Sequence, residues 1–333
     1  MATYKGIQGF SIQNLSADPS NPIEGQVWYN STSNVWKVEE LTTAGAWATG
    51  NNLNTARTSL GGTGTQTAGL SFGGEVPGSI ESGATEEYDG NSWTNSNPLN
   101  TVRTLLSGCG TQTAGLAFGG YNPTLSGTTA VEEYDGNSWV NANSNNTPRF
   151  YFGSTGIQTA AVIFGGNPGA PPFLSGATEE YNGATWTSSP PGLNTARYFL
   201  VGAGTQTAGL AFGGQVPPNV RQNATEEYNG ATWTSGNSMN TARANLAGAG
   251  IQTAALAFSG VTPGGSTGAT EEYDGISWTT SPASMSTVRN SLAGAGTQTA
   301  GLAFGGQPGG GATASTEEWT GPGAAVTKTI TVS

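Results

Sequence analysis

The chain has 333 residues and a formal net charge of −11, with 53 glycines and only 9% charged residues, against a usual ~25%. Nine Trp, ten Tyr and eleven Phe exclude a disordered chain, and no window approaches the ~18–20 unbroken apolar residues of a membrane-spanning helix. There is no histidine and a single cysteine, Cys109, which removes the commonest general base and metal ligand, any intrachain disulfide and any Cys-based zinc site.

The N-terminus, MATYKGIQGFSIQ, lacks the long apolar run of a secretory signal. Residues 1–45 follow no repeat. After a loop-like stretch over 19–24, the segments 26–30 and 35–38 flank 31–34, and QVWYN-STSN-VWKV predicts a hairpin. From residue 46 to 333 the chain is dominated by one motif. It reads LNTAR, then LxGxG, then TQTAGLAFGG, a variable stretch, and ATEEYDGxSWT. The units begin near residues 57, 103, 149, 197, 243 and 289, each at an arginine: Arg57, Arg103, Arg149, Arg197, Arg243 and Arg289. Glycine doublets end five of the six second segments, and Ser259 with Gly260 is the departure.

Each unit holds about four strand-like runs between turn signals. In the first unit these are 58–63, Ala68–Phe72, Thr85–Tyr88 and a strand opening at Trp93. Asp-Gly or Asn-Gly after the Tyr predicts a tight hairpin in which both central residues have positive φ. Four strands in about 46 residues, six times over, predict an all-β, six-bladed β-propeller, with small residues on the innermost strands and aromatics between blades. The arginines are read as frame residues, each tied to a carboxylate or to loop carbonyls, and one glutamate of each Glu-Glu pair is a candidate partner. The other is free to be solvated or to hold a cation. Trp47 lies ten residues before Arg57, as Trp93 lies before Arg103, while no Trp follows Trp319. The strand at Trp47 is therefore expected to complete the sixth blade and remove an open edge. The runner-up is seven blades, with a composite blade from 26–38 and the tail 326–332.

The Gly-Gly, Tyr-Asp-Gly, Trp and Arg pattern, recurring over roughly 47–320, resembles the kelch repeat. That resemblance implies a propeller with frame residues Trp47, Trp93, Trp139, Trp186, Trp233 and Trp278 beside the six arginines. Some kelch-like propellers are copper oxidases using histidine ligands, which this chain lacks, so no enzyme activity, cofactor or metal site is expected. Asp89, Asp135 and Asp274 are already explained by their turns, and Cys109 by a small inner-strand position.

The units differ mainly between their second and third strands, as in EVPGSIESG after Gly74 and QVPPNVRQN after Gly214. These loops are expected on one face with LNTAR, and Tyr121, Phe173, Val216, Val220 and Arg221 are the candidate binding residues. A ring of turn glutamines, from Gln66 to Gln298, is expected on the opposite face, satisfying turn backbone groups. The N-terminal stretch NPIEGQVWYNSTSNVWKV resembles short modules of bacteriophage structural proteins. That resemblance implies a virion protein attached through residues 1–45 to other virion proteins, with a propeller on a tail fibre or appendage contacting a host-surface glycan or protein. A purely structural decoration of capsid, neck or tail, and an intracellular kelch interaction module, are the alternatives. The acidic charge argues against nucleic acid binding, and no membrane insertion is expected.

Overall fold

The structure, a computed structural model, describes residues 13–20, 25–41, 44–124, 126–322 and 325–330. Among them there is no helix, and four-stranded sheets dominate. The chain divides into two compact units, one of the residues up to Gly45 with those from Gly321 onward, the other Ala46–Thr320.

The first unit is a single sheet in the order Gln13–Leu15, Val27–Asn30, Val35–Leu41, Ala325–Ile330. The expected hairpin is present, with Tyr29 opposite Trp36. Its turn is set by Asn30, whose side-chain oxygen accepts from the backbone N–H of Thr32 and Ser33, and by Asn34 at φ 55°. The tail strand pairs antiparallel with Val35–Leu41. The chain from Gly321 thus groups with the N-terminal segment because its strand completes that segment's sheet. Of the expected 19–24 loop, 21–24 lie outside the described residues, as do 331–333 of the tail. Buried Trp28 donates from its indole to Asp18 at 3.0 Å. Lys37 and Asn30 also donate to Asp18 and, with Trp28, hold its carboxyl down at about 2.

The second unit contains six four-stranded antiparallel sheets. The first runs Gly61–Thr65, Ala68–Phe72, Thr85–Tyr88, Trp93–Ser96. The expected second and third strands are found as drawn. The first begins at Gly61, not at 58, because Ser59 takes a left-handed φ of 53° and no ladder runs through it. The Tyr-Asp-Gly turn is wider than the two-residue type. Tyr88 pairs with Trp93, and only Gly90 has positive φ. Asp89 closes the loop by accepting the N–H of Asn91 and Ser92, which is why Asp or Asn is wanted there.

The sixth sheet is assembled from distant parts of the chain. Its order is Ala293–Gly296, Ala300–Phe304, Thr316–Thr320, Ala46–Gly50, with Trp319 opposite Trp47. The innermost strands lie side by side in sequence order, and Ala293–Gly296 also lies against Gly61–Thr65. They approach so closely that a Cβ on Gly202 would sit 2.3 Å from the Ser154 carbonyl oxygen of the neighbouring innermost strand. The core lies between sheets. The Phe closing each second strand meets the Trp of the following sheet: Phe72 on Trp139, Phe118 on Trp186, Phe164 on Trp233 and Phe212 on Trp278. Phe258 meets Trp47 and Phe304 meets Trp93 in the same way, with centroids 5.0 and 4.9 Å apart.

Candidate functional site

The repeated polar residues are engaged by the fold. Arg57, Arg103, Arg149, Arg197, Arg243 and Arg289 are fully buried and pair with Glu86, Glu132, Glu179, Glu226, Glu271 and Glu317, the first glutamate of each doublet. The same carboxylates accept backbone N–H groups from the LNT segment, as Glu86 does from Asn54 and Thr55. Desolvation pulls each guanidinium below its ordinary value, Arg103 to about 10, and the paired glutamate opposes the shift.

The second glutamate is half-buried and tied to the next sheet in five of the six units. Glu87, Glu133, Glu180, Glu227 and Glu318 each accept the hydroxyl of the tyrosine on the next sheet: Tyr134, Tyr181, Tyr228, Tyr273 and Tyr88. Desolvation, with the glutamate adding to it, raises these phenols, Tyr134 and Tyr228 to about 12. Trp319 occupies the tyrosine position in the sixth sheet, so Glu272 has no such donor, and burial raises its carboxyl. The indole N–H of Trp47, Trp93, Trp139, Trp233 and Trp278 donates to a threonine on the preceding sheet. Trp186 faces Val131 in that register and donates to the Asn143 carbonyl instead. The turn glutamines satisfy backbone groups, but those of the neighbouring sheet. Each reaches the adjacent sheet and donates to two carbonyls there, as Gln112 does to Gly69 and Tyr88. They bridge neighbours; they do not cap their own turns.

What varies is the rim of the other face. The residue after each repeat arginine forms a bridge with the residue after each doublet, for example Thr58 with Glu75 and Tyr198 with Gln215. This brings the variable segments beside the arginine loops, as the sequence implied. One residue further on, six positions have left-handed backbone: Ser59, Leu105, Tyr151, Phe199, Asn245 and Ser291, at φ 53° to 58°. Their backbones form a continuous circuit. Leu105 N–H donates to Ser59, Tyr151 to Leu105, Phe199 to Tyr151, Asn245 to Phe199, Ser291 to Asn245 and Ser59 to Ser291, over 2.8–3.3 Å.

This circuit surrounds the mouth of an axial cavity. A throat of about 180 Å³ lies between the six inner strands, and a wider mouth of about 520 Å³ opens above it. Tyr121, Phe150, Tyr151 and Phe199 line one side of the mouth, and Glu75, Glu81, Asn245 and Gln307 are among the groups lining the rest. Burial, with Glu75 and Tyr198 adding to it, raises the Tyr151 phenol.

Of the five candidate binding residues, Tyr121 lines this mouth, against Phe150 at 5.9 Å. Phe173 and Val220 are exposed on their loops. Val216 pairs with Val220 in a small hairpin, where Arg221 donates to the Gln215 side chain and the Asn219 carbonyl. The structure does not bring these four to the mouth. Cys109 is buried on its inner strand and its thiol is pushed up by desolvation. Asp89, Asp135 and Asp274 face their own turns, whose N–H groups hold the carboxyls low. Among the described residues no group of three acidic, His or Cys side chains is placed to hold a metal ion. Sequence reasoning missed Tyr151 and Phe199. The available signal was the pair of positions directly after each arginine, where side-chain type changes from unit to unit between the arginine and the LxGxG run. No family model matches the chain, and no curated protein matches it.

Proposed function

We propose that Ala46–Thr320 is a six-bladed β-propeller that works as a non-enzymatic binding scaffold, with the circuit of left-handed residues marking its binding face. One observation carries the reading. The repeated charged and amide groups, Glu272 excepted, are engaged within or between sheets, while the six side chains of the circuit are Ser, Leu, Tyr, Phe, Asn and Ser. A uniform frame with a divergent rim is what a scaffold for recognition requires. Six blades, closed by the strand at Trp47, are supported by the circuit's sixth link from Ser59 to Ser291 and by Trp47 standing where every other sheet has its tryptophan. The sheet that includes the tail strand belongs to the other compact unit, which favours six over seven.

The setting we propose is a bacteriophage particle, with the N-terminal segment docking to other virion proteins and the propeller turned to a host surface. It rests on the resemblance of the segment around QVWYNSTSNVWKV to phage structural modules and of the repeat to kelch. Antibody–gold labelling of purified particles tests it. Gold on tails or fibres is the expected result, and adsorption of the purified full chain to host cells should follow. Gold over the shell points to decoration instead, and particles without gold remove the virion reading.

A further inference from the structure

The mouth has two chemically different sides. On one, four rings form an unbroken arc with a fifth behind it. Tyr121 meets Phe150 at 5.9 Å, Phe150 meets Tyr151 at 5.2 Å, Tyr151 meets Phe199 at 3.8 Å, and Tyr198 backs Phe199 at 4.8 Å. Tyr151 and Phe199 hold φ of 57° and 58°, where bulky residues rarely sit and Asn is at ease. The fifth unit carries Asn245 at this position. Bulky side chains, Leu105 at φ 57° among them, are kept at a backbone position that disfavours them, and such strain gathers at ligand sites.

The other side is polar. The Asn245 and Gln307 amides and the Ser59 hydroxyl line it, and the Tyr151 phenol adjoins it; none of these four side chains makes a hydrogen bond within the described residues. Glu75 and Glu81 stand directly opposite each other in a small hairpin of two-residue strands, a like-charge placement that costs stability. No Lys or Arg lines the mouth.

We infer that this mouth binds a neutral pyranoside, the terminal or exposed sugar of a glycan. A pyranose ring has an apolar C–H face suited to stacking on an aromatic arc, and a rim of hydroxyls that donate to carboxylates and exchange hydrogen bonds with amides. The volume of about 520 Å³ lies within the ~300–1,000 Å³ typical of small-ligand sites. Anionic sugars are disfavoured by the two glutamates and the lack of any cation. A quaternary ammonium group calls for rings enclosing it, whereas these rings occupy one side only. The assignment rests on the reading of this face as the binding face and supplies its ligand class.

Saturation-transfer NMR on the purified full chain tests it, with methyl α-mannopyranoside, methyl β-galactopyranoside and methyl N-acetyl-β-glucosaminide as probes and methyl β-glucuronide as the anionic control. Transfer to the ring C–H protons of at least one neutral glycoside is expected, and little to the glucuronide. Combined Tyr151→Asn and Phe199→Asn should weaken binding by at least about tenfold with the fold intact, because Asn245 already occupies the equivalent position. Gln307→Ala should weaken it less, at unchanged melting temperature. Silence from all three neutral glycosides, equal transfer to the glucuronide, or full binding by the double variant would each overturn the assignment. If the chain adsorbs to cells but no glycoside responds, and adsorption is lost in the double variant, the glycan assignment alone fails. If adsorption is indifferent to the double variant, the face itself is not the binding surface.

Discussion

Each repeat arginine sits in an ion pair with no solvent contact, and the energetics of such pairs are asymmetric. Removing one partner strands a buried charge and costs ~3–5 kcal/mol, whereas replacing both with apolar residues is often neutral. Glu271→Ala is therefore expected to lower the unfolding free energy by about 3–5 kcal/mol in urea titration, since it also leaves the Asn240 and Thr241 N–H groups unmatched. The tyrosine–glutamate links give an alkaline signature. The phenols lose their protons near pH 10 when unfolded, but Tyr134 and Tyr228 do so only at about 12 when folded. A raised folded value means that the stabilisation is complete below pH 10 and is lost as pH climbs from 10 toward 12. Unfolding titrations across that window should fall steeply, and Tyr134→Phe with Tyr228→Phe should flatten the fall. Glu272 carries the opposite lesson. Its carboxyl is raised by burial with no tyrosine to relieve it, so its charge opposes folding above the ordinary carboxylate range. Glu272→Gln should raise the melting temperature slightly at neutral pH, while Glu227→Gln, which disturbs the link to Tyr273, should lower it.

The strand Ala46–Gly50 supplies the edge of a sheet whose other three strands come from the end of the repeats. Trp47 packs on Trp319 and Phe258 and donates to Thr270 at 2.8 Å. Trp47→Ala should cost about 3 kcal/mol, at the lower end for a large aromatic because it is not wholly buried. An unchanged melting temperature would remove Trp47 from the closure argument. This strand was legible from a spacing, the ten residues to Arg57. The second and third strands were legible for a related reason: glycine doublets and Asp-Gly turns punctuate them sharply. Three things were not. The hairpins Glu75–Val76 with Ile80–Glu81 and Gln215–Val216 with Val220–Arg221 are too short to show an alternating pattern. The glutamines bond across sheets, and a partner some 43 residues distant leaves no local trace. The left-handed positions are held by Leu105, Tyr151 and Phe199, residue types that signal the reverse, because the inter-sheet hydrogen bonds there override local preference. Ser259 is a milder case. It replaces a doublet glycine, keeps φ at 64°, and fastens itself through its hydroxyl to the Arg289 carbonyl.

At the scale of the chain, six of the ten basic residues are sealed in ion pairs, and the other four are Lys5, Lys37, Lys328 and Arg221. The surface is left acidic, which suits colloidal solubility and disfavours polyanion binding. Because the last sheet takes its outer strand from Ala46–Gly50, a chain of residues 46–320 should fold alone with a cooperative thermal transition. One beginning at residue 52 should melt at lower temperature or aggregate through the bare Thr316–Thr320 edge. Circular dichroism melts of the two would separate these outcomes. The same arrangement has a consequence for biosynthesis. Trp47 leaves the ribosome 223 residues before Thr270, to which it bonds, and Trp319 follows later still. At ~5–20 residues per second the nascent strand waits for tens of seconds while the earlier sheets form behind it. Translation speed and any factor that shields a waiting β-edge thus bear on yield, and an mRNA slowed near its 3′ end should give more aggregate than one slowed near its start.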